Sequence, residues 1–399
     1  MNTDLNTNVN PDTNTDINSK ADFDKIIDRK NTYCKKWDKY KGKDIIPFWI
    51  ADSDFETTPA IVEALHQRVA QGVFGYTEQG TAGVREAITS HLSYHYDWSI
   101  KSEWIVPLSS LVNGLTFSSL LAGDEGDEIM VPEIIYPPFN FVINNTKRER
   151  IRVPMQLQNE RWTLDFAALE ASITPKTKMV LFCNPHNPGG TVYTEEELLR
   201  LQAICKKHDL LICSDEIHCD LILDKNKKHY PFGNLNEDAA NRCITLMAAT
   251  KTYNLAGMNF GFAIIPNDEI RKKFEQDVLE KAPEVSILGQ TATEAAFKHG
   301  ESWRLQQIDY LRDNHDYLLR EINAIPGLKM FPLEATYLAW IDVSDLALDN
   351  AESFFENAGI GISAGVYFGD KNFIRLNFAC RRSLLEEAIK RITKAVSEL

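Results

Sequence analysis

The stretch LLICSDEIHCD, residues 210–220, joins a short apolar run to a polar cluster, and the fold class can be argued from that junction. A second junction of this kind lies upstream, where MVLFC at 179–183 leads into NPHNPGG at 184–190. Short apolar runs bounded by polar residues are typical of strands that are buried on both faces of a sheet. Five side chains of the first cluster can bind a metal ion or move a proton: Asp215, Glu216, His218, Cys219 and Asp220.

Other apolar runs repeat the pattern, and they are EIMVP (128–132), ITLMA (244–248) and GFAIIP (261–266). Helical segments lie between the runs. Thr194 and Glu197 form a capping box at the start of one helix, and Pro59 opens another whose apolar stripe contains Ile61, Val62, Leu65 and Val69. Strands that alternate with helices predict an α/β fold with a mostly parallel sheet. Ligands bind such sheets at the carboxyl ends of the strands, where both polar clusters fall.

Composition and charge limit the class of protein. The chain has 399 residues, which predicts two domains, and its net charge of −14 argues against a nucleic acid or an anionic membrane as a partner. Residues 1–20 are rich in Asn, Thr and Asp and predict a disordered tail. The cysteines number seven, and this odd count in a long chain indicates free thiols and a cytoplasmic location.

The pattern changes near residue 290. Long helical stretches there lead into short strands at TYLAWIDV (336–343) and FIRLNFAC (373–380). We therefore expect a large domain at residues 48–289 and a smaller α+β domain built from residues 21–47 and 290–399.

Three ordinary types of site fit the two polar clusters poorly. Zinc sites have converging ligands in recurrent spacings, and neither Cys-x-x-Cys nor His-Glu-x-x-His occurs, so no metal is expected. Buried thiols behave as small apolar residues, which is the simpler interpretation of Cys183, Cys205 and Cys213. The chain also lacks the Gly-x-Ser-x-Gly elbow of a serine hydrolase and the Gly-x-Gly-x-x-Gly turn of a dinucleotide fold.

A fourth type of site fits more of the chain. In AATKTYNLAGMNFG (248–261), Lys251 follows an apolar strand and falls at the same sheet edge as Asp215 and Asn187. A desolvated lysine can have a lowered pKa and form a Schiff base. A buried carboxylate can keep a pyridine nitrogen protonated, and the two features together describe a site for pyridoxal 5'-phosphate (PLP).

With these three residues in this order, the chain resembles fold-type I PLP enzymes of the aminotransferase class I/II superfamily over nearly all of its length after the tail. Seven stretches resemble the narrower branch of cystathionine β-lyase-like carbon–sulfur lyases of the MalY/PatB type. They are DRKNTYCKKWD (28–38), PFWIADSDFETTP (47–59), GVFGYT (72–77), YPPF (136–139), SDEIHCDL (214–221), TYLAW (336–340) and FIRLNFAC (373–380). The resemblance implies a seven-stranded, mostly parallel central sheet, a smaller α+β domain and a homodimer with shared active sites.

The resemblance also implies roles for residues around the ring of the cofactor. Lys251 would carry PLP as a Schiff base, and Asp215 would pair with the pyridine nitrogen. Asn187 would hydrogen-bond the phenolic oxygen of the ring, with His218 close by. Tyr136 would stack on the ring face.

Further roles concern the phosphate and the substrate. The backbone of Ser110 and Leu111 and the hydroxyl of Thr250 would hold the phosphate, and Tyr76 would reach it from the partner subunit. Arg375 would bind the α-carboxylate of the substrate, which suits its planar fork. The predicted catalytic residues are therefore Lys251, Asp215 and Tyr76.

Several of these side chains also have simpler structural interpretations. Tyr136 and Tyr76 can be packed aromatics, Arg375 can belong to an ion pair, His218 can be a satisfied core histidine, and Thr250 can cap a turn. We expect Glu216 and Asp220 to be salt-bridged or solvated rather than catalytic.

The chain departs from the superfamily pattern at two places. LSSLVNG (108–114) lacks the usual glycine-containing phosphate turn, which leaves phosphate binding at 109–112 open. Asn259 stands where many aminotransferases have a phosphate-binding arginine, which favours the lyase branch.

The expected function is thus a PLP-dependent carbon–sulfur β-lyase that acts on L-cystathionine or related cysteine S-conjugates. The products would be a thiol, pyruvate and ammonia. An aminotransferase of an L-amino acid is the alternative within PLP chemistry. A non-enzymatic regulator that binds a transcription factor is the alternative of another class. The preferred leaving group stays open.

Overall fold

The computed structural model describes residues 20–399, so the predicted disordered tail lies, up to residue 19, outside the described residues. The strands of the described part are β1 (Ile46–Pro47), β2 (Ile105–Leu108), β3 (Glu128–Pro132), β4 (Glu149–Val153), β5 (Met155–Gln158), β6 (Arg161–Leu164), β7 (Thr177–Cys183), β8 (Leu211–Asp215), β9 (Cys243–Met247), β10 (Gly261–Ile264), β11 (Lys329–Met330), β12 (Leu338–Asp342), β13 (Ile360–Gly361), β14 (Ser363–Ala364) and β15 (Phe373–Asn377).

The α-helices of the same part are α1 (Lys35–Asp38), α2 (Pro59–Ala70), α3 (Ala82–Tyr96), α4 (Leu111–Leu120), α5 (Pro138–Asn145), α6 (Phe166–Ala171), α7 (Glu195–Lys207), α8 (Glu237–Arg242), α9 (Asp268–Lys281), α10 (Ile287–His299), α11 (Glu301–Asn323), α12 (Ala351–Asn357) and α13 (Arg382–Ser397). Between residues 20 and 399, no helix is both long and apolar enough to cross a membrane.

A central sheet of seven strands runs in the order β2-β10-β9-β8-β7-β3-β4 and confirms the predicted α/β class. Its strands are parallel except for β10, which is antiparallel to both of its neighbours. In the register of β7 and β8, Cys183 stands opposite Asp215, and Asp215 in turn stands opposite Leu246 of β9. The carboxyl ends of β7, β8 and β9 therefore meet at one edge, as the two polar clusters predicted.

A second sheet of four strands has the order β11-β12-β15-β14. The N-terminal part of the described chain joins this region, because β1 pairs in parallel with β13 through Ile46 and Ile360. One hydrophobic core contains residues from both predicted domains, including Phe48, Tyr253 and Leu376. The predicted domain boundaries stay predictions.

The helix starts follow their sequence signals. Thr194 and Glu197 form the reciprocal capping box of α7, and Pro59 occupies the first turn of α2. The apolar stripe of α2 is only partly covered in a single chain. Ile61 is fully buried, whereas Val62 and Val69 keep 41% and 50% of their surface exposed.

Candidate active site

A cavity of about 160 Å³ lies at the carboxyl edge of the central sheet, where β7, β8 and β9 end and α4 begins. The side chains and backbone that line it come from several segments of the chain: Ser109, Ser110, Leu111, Val112, Leu115, Tyr136, Cys183, Asn187, Asp215, Ile217, His218, Ala248, Thr250, Lys251, Ala256, Asn259 and Phe260. Nearly all of the predicted site residues therefore meet around one space.

Lys251 follows β9 and its amine is directed to the backbone of a distant segment. Its Nζ donates a hydrogen bond of 2.7 Å to the carbonyl oxygen of Ala51. Burial lowers the pKa of the Lys251 amine to about 8, and Arg375 lowers it further, while Asp52 and Asp215 oppose the shift. A lysine in this state exchanges protons near neutral pH, which a covalent or acid–base role requires.

Asp215 is the last residue of β8 and only 6% of its surface is exposed. Its Oδ1 accepts a hydrogen bond of 3.2 Å from the backbone N–H of Ile217. Burial raises the pKa of the Asp215 carboxyl to about 7, and the neighbouring Glu216 raises it further. A cationic N–H group placed in the cavity would hold Asp215 in its ionised form.

His218 lies on the turn after β8 and is buried. Burial lowers the pKa of its imidazole to about 3, with Lys251 and Arg375 adding to the effect, so the ring is neutral at pH 7. Within residues 20–399 its Nδ1 has no hydrogen-bond partner. This buried polar atom at the wall of the cavity is unsatisfied, which fits a missing ligand group better than a satisfied core histidine.

Arg375, in β15, reaches the same region from the second sheet. One of its terminal nitrogens donates to Oδ1 of Asn187 at 3.0 Å, and the other donates to the carbonyl oxygen of Trp49 at 3.1 Å. The guanidinium also stacks over the ring of Phe368 at 4.5 Å. Within residues 20–399 both of its hydrogen-bond partners are neutral oxygen atoms, and its Nε has no partner. The ordinary ion pair considered from the sequence is therefore not found in this part of the chain.

The start of α4 forms one end of the cavity. Ser110 caps this helix, and its hydroxyl accepts from the backbone N–H of Asn113 at 3.2 Å. Its backbone is extended, with φ −161° and ψ 155°, a conformation that does not require glycine. The helix N-terminus favours an anion, and Thr250 and Asn259 line the same cavity.

The two predicted tyrosines lie in different surroundings. Tyr136 lines the cavity, and burial raises the pKa of its phenol. Tyr76 is fully exposed in the single chain and is not among the residues that line the cavity. Tyr136 is thus part of the cavity wall, and Tyr76 lies outside the cavity of its own chain.

The comparisons with known proteins agree with this geometry. The family model described as "Aminotransferase class I and II" matches residues 43–392. The chain belongs to this family. Cystathionine beta-lyase PatB of Bacillus subtilis (strain 168) is 32% identical over 389 residues, which cover 94% of this chain and 100% of the relative.

Two solved structures extend the likeness to three dimensions. The crystal structure of OvoB has 41% identity and a TM-score of 0.92, and the match covers 95% of this chain and 100% of that one. The crystal structure of cystalysin from Treponema denticola, which contains a pyridoxal 5'-phosphate cofactor, has 31% identity, a TM-score of 0.90 and the same coverage. The recognised resemblance to the aminotransferase class I/II superfamily and its lyase branch is confirmed.

In this member of the aminotransferase class I and II family, two carboxylates of the SDEIHCD cluster are structural. Glu216 accepts from Phe232 N–H at 2.9 Å and pairs with Nε2 of His229 at 2.7 Å, with both side chains buried. Asp220 accepts from the hydroxyl of Tyr96 and lies 3.0 Å from Nε2 of His91. Both carboxylates are therefore buried and hydrogen-bonded to other side chains, and neither lines the cavity.

Sequence reasoning missed some members of the site. The carbonyl oxygens of Trp49 and Ala51 contact Arg375 and Lys251, and Phe368 lies under the guanidinium. The signal for Trp49 and Ala51 was the stretch PFWIADSDFETTP, which supported the family resemblance without giving its residues a role. No comparable signal pointed to Phe368, because its contact depends on the fold alone.

Proposed function

We propose that this chain is a PLP-dependent carbon–sulfur β-lyase that acts on L-cystathionine or a related cysteine S-conjugate. The observation that carries the proposal is the convergence of Lys251, Asp215 and Asn187 at one cavity, with Arg375 hydrogen-bonded to Asn187, in a chain of the aminotransferase class I and II family. The names of relatives support the reaction type, since PatB is named a cystathionine beta-lyase and the cystalysin structure contains PLP.

The donor groups of the cavity fit PLP. Lys251 has an amine of lowered pKa that would bind the cofactor covalently. Asp215 would pair with the pyridine nitrogen. Asn187 and the Nδ1 of His218, which has no partner among residues 20–399, would be polar groups for the ring substituents. The N-terminus of α4 at Ser110, together with Thr250, would hold the phosphate.

Arg375 would bind the α-carboxylate of the substrate. Its present hydrogen-bond partners, Asn187 and the carbonyl of Trp49, are neutral. A carboxylate would replace or join them with charge-assisted hydrogen bonds, which are worth roughly 1.5–3 kcal/mol each. Burial lowers the pKa of Arg375 to about 10, so the guanidinium stays charged at pH 7.

When bound, PLP supplies an electron sink for the negative charge that develops at the substrate α-carbon. The chain provides the proton transfers. Once the substrate amine has taken its place on the cofactor, the freed amine of Lys251 would accept the α-proton as general base, which its pKa of about 8 allows near neutral pH. Asp215 would keep the proton on the pyridine nitrogen through a charged hydrogen bond.

The β-substituent would then leave as a thiolate, the amine of Lys251 would displace the remaining three-carbon enamine, and water would convert this enamine to pyruvate and ammonia. An aminotransferase would use the same lysine but needs a keto acid as amino acceptor. The test is therefore turnover of L-cystathionine by the PLP-loaded protein with and without added keto acid. Pyruvate and thiol should form equally well in both. Turnover that requires the keto acid would reject the lyase proposal and support the aminotransferase.

We further propose that the protein is a homodimer whose subunits share active sites. An exposed apolar surface in the single chain supports this: Val62, Val69, Val73, Phe74 and Tyr76 lie on α2 and the segment after it. A surface of this kind is typical of a protein–protein contact, and a two-fold dimer would give each site one Tyr76 from the other chain. The proposal also includes the cytoplasmic location expected from the sequence. The seven cysteines are free thiols, as that expectation requires.

A further inference from the structure

Residues 49–54, called the strap here, run between the two cations of the candidate active site. The carbonyl oxygen of Trp49 accepts from Arg375 at 3.1 Å, and that of Ala51 accepts from Lys251 at 2.7 Å. The side chain of Asn377 donates to the carbonyl oxygens of Ile50 and Asp52 at 2.6 and 2.9 Å. The backbone of the strap therefore sets where both cations point.

The strap is held on its other side by two cations from the N-terminal part of the described chain. Arg29 donates to the carboxylate of Asp52 at 2.9 Å, to that of Asp54 at 2.8 Å and to the carbonyl of Ser53 at 2.7 Å. Lys36, which is fully buried, donates to the carbonyl of Asp52 at 2.9 Å and to the carboxylate of Asp54 at 2.7 Å. Neither cation lines the cavity itself.

We propose that Asp52 is a positioning residue for the amine of Lys251, and that Arg29 limits its effect by pairing with it. Asp52 directly follows Ala51, whose carbonyl oxygen accepts from the lysine amine, and the Asp52 carboxylate is itself held at 2.9 Å by Arg29. Arg29 and Asp52 are both mostly buried, with 21% of each side chain exposed, which weakens screening of their charges by water. The proposal rests on the role given to Lys251 in the proposed function.

The charges around Lys251 determine the direction in which each substitution should shift the pKa of its amine. Asp52 and Asp215 raise the pKa of the lysine amine, whereas burial and Arg375 lower it, and the nearby His218 is neutral. Removal of the Asp52 charge should therefore lower the pKa of Lys251. Removal of Arg29 leaves the Asp52 charge uncompensated and should therefore raise the pKa of Lys251.

A purely structural strap would behave differently. If Arg29 and Asp52 only hold the strap in place, the loss of either one loosens the same contact and admits water to Lys251. Because burial is the main cause of its lowered pKa, the pKa of Lys251 would then rise in both variants. The direction of the two shifts separates the interpretations.

The experiment uses the full chain without added cofactor and follows modification of lysine amines as a function of pH. Mass spectrometry of the peptide that contains Lys251 gives the titration midpoint. Asp52→Asn should lower this midpoint and Arg29→Gln should raise it, each by about 0.5 pH unit or more. Arg29→Lys, which keeps the charge but not the fork, should return it toward the wild-type value.

Lys25→Gln is the matched control, since Lys25 pairs at 2.7 Å with Glu56, just beyond the strap, at an exposed site. It should leave the midpoint unchanged. Shifts in the same direction for Asp52→Asn and Arg29→Gln, or no shift in either, would overturn the proposal. If Asp52→Asn does not fold, an upward shift in Arg29→Gln that Arg29→Lys reverses supports the proposal, and an upward shift that persists in Arg29→Lys contradicts it.

The titration is independent of turnover. Opposite shifts in a protein that fails the lyase assay would keep the positioning role and reject the proposed reaction. An active lyase without these shifts would reject the positioning role alone.

Discussion

The guanidinium of Arg375 donates a 3.0 Å hydrogen bond to Oδ1 of Asn187, a residue 188 positions earlier in the chain. This bond joins β15 of the second sheet to the loop after β7 of the central sheet. The group proposed to bind the substrate carboxylate is therefore fixed against a group proposed to bind the cofactor ring. A change at Arg375 should therefore weaken substrate binding more than it reduces the stability of the fold.

We expect Arg375→Lys to raise KM for L-cystathionine at least about tenfold, which corresponds to roughly 1.4 kcal/mol. A lysine is a point charge and cannot replace the bidentate fork of the guanidinium. Steady-state kinetics of the PLP-loaded variant measure the change. Arg391→Lys, on α13 with its ion pair to Glu387, is the control and should leave KM unchanged. Equal KM values in the two variants would remove Arg375 from the carboxylate site.

Asp215→Asn should retain bound PLP with weaker affinity and lose at least about tenfold in elimination rate, the change for roughly 1.4 kcal/mol in the barrier. A neutral amide cannot hold the pyridine nitrogen protonated through a charged partner. Rapid-mixing kinetics with saturating PLP separate the rate from the affinity. Asp209→Asn, at an exposed position in the turn before β8, should behave like the wild type. Near wild-type turnover in Asp215→Asn would contradict the assigned role.

Asp220 should matter for stability instead. It is buried with His91 and Tyr96, and His91 and Arg304 lower the pKa of its carboxyl well below the usual value despite burial. We expect Asp220→Ala to reduce the free energy of unfolding by roughly 3–5 kcal/mol at pH 7. Loss of the carboxylate leaves the Tyr96 hydroxyl and His91 Nε2 without their hydrogen-bond partner and the mostly buried Arg304 without one of its nearby counter-charges. Urea denaturation of the cofactor-free full chain gives this difference.

The pH dependence of this loss has a defined sign. A carboxyl whose pKa is lower in the folded than in the unfolded chain stabilises the fold above its unfolded pKa, which is about 3.9. That stabilisation disappears as the pH falls from about 3.9 through the folded pKa. The difference between wild type and Asp220→Ala should therefore be full at pH 7 and shrink below about pH 3.9. A difference that does not shrink in acid would show that packing, not charge, accounts for it.

Substitution of Tyr76 tests the proposed homodimer and its shared active sites. Tyr76→Phe and Lys251→Ala should each impair the homodimer. In a mixed heterodimer one site would carry both changes and the other neither, so activity should recover in part. If Tyr76 acts within its own chain, each site carries one change and no recovery follows.

Subunit exchange must be verified in that experiment, for example by native mass spectrometry of differently tagged chains. Tyr94→Phe, another strongly exposed tyrosine, is the control and should not impair the homodimer. Absence of recovery, with exchange verified and a clear Tyr76→Phe defect, counts against the shared site.

Local signals were sufficient to predict the parallel part of the sheet and the place of Asp215. The runs MVLFC and LLIC lie in adjacent parallel strands, β7 and β8. The run GFAIIP also forms a strand, but nothing in it signals that β10 is antiparallel to both neighbours. Strand direction depends on the connections, which a short apolar run does not encode.

The residues that form the site could be predicted more readily than the contacts that those residues make. Lys251 and Ala51 are joined through a backbone carbonyl across 200 positions, and any residue type supplies such a carbonyl. Likewise, the exposure of Val62 and Val69 on α2 cannot be distinguished from core packing by their spacing alone. Contacts that use backbone atoms or depend on a second chain leave no pattern in the sequence of one chain.

The most direct test of a Lys251-based β-lyase is a product balance with L-cystathionine and no keto acid. The PLP-loaded wild type should release pyruvate, ammonia and homocysteine in equal amounts, and borohydride should fix the cofactor to the peptide that contains Lys251. Lys251→Ala should lose both the products and the covalent label. Equal product formation by Lys251→Ala, or a label on a different lysine in an active protein, would contradict the account.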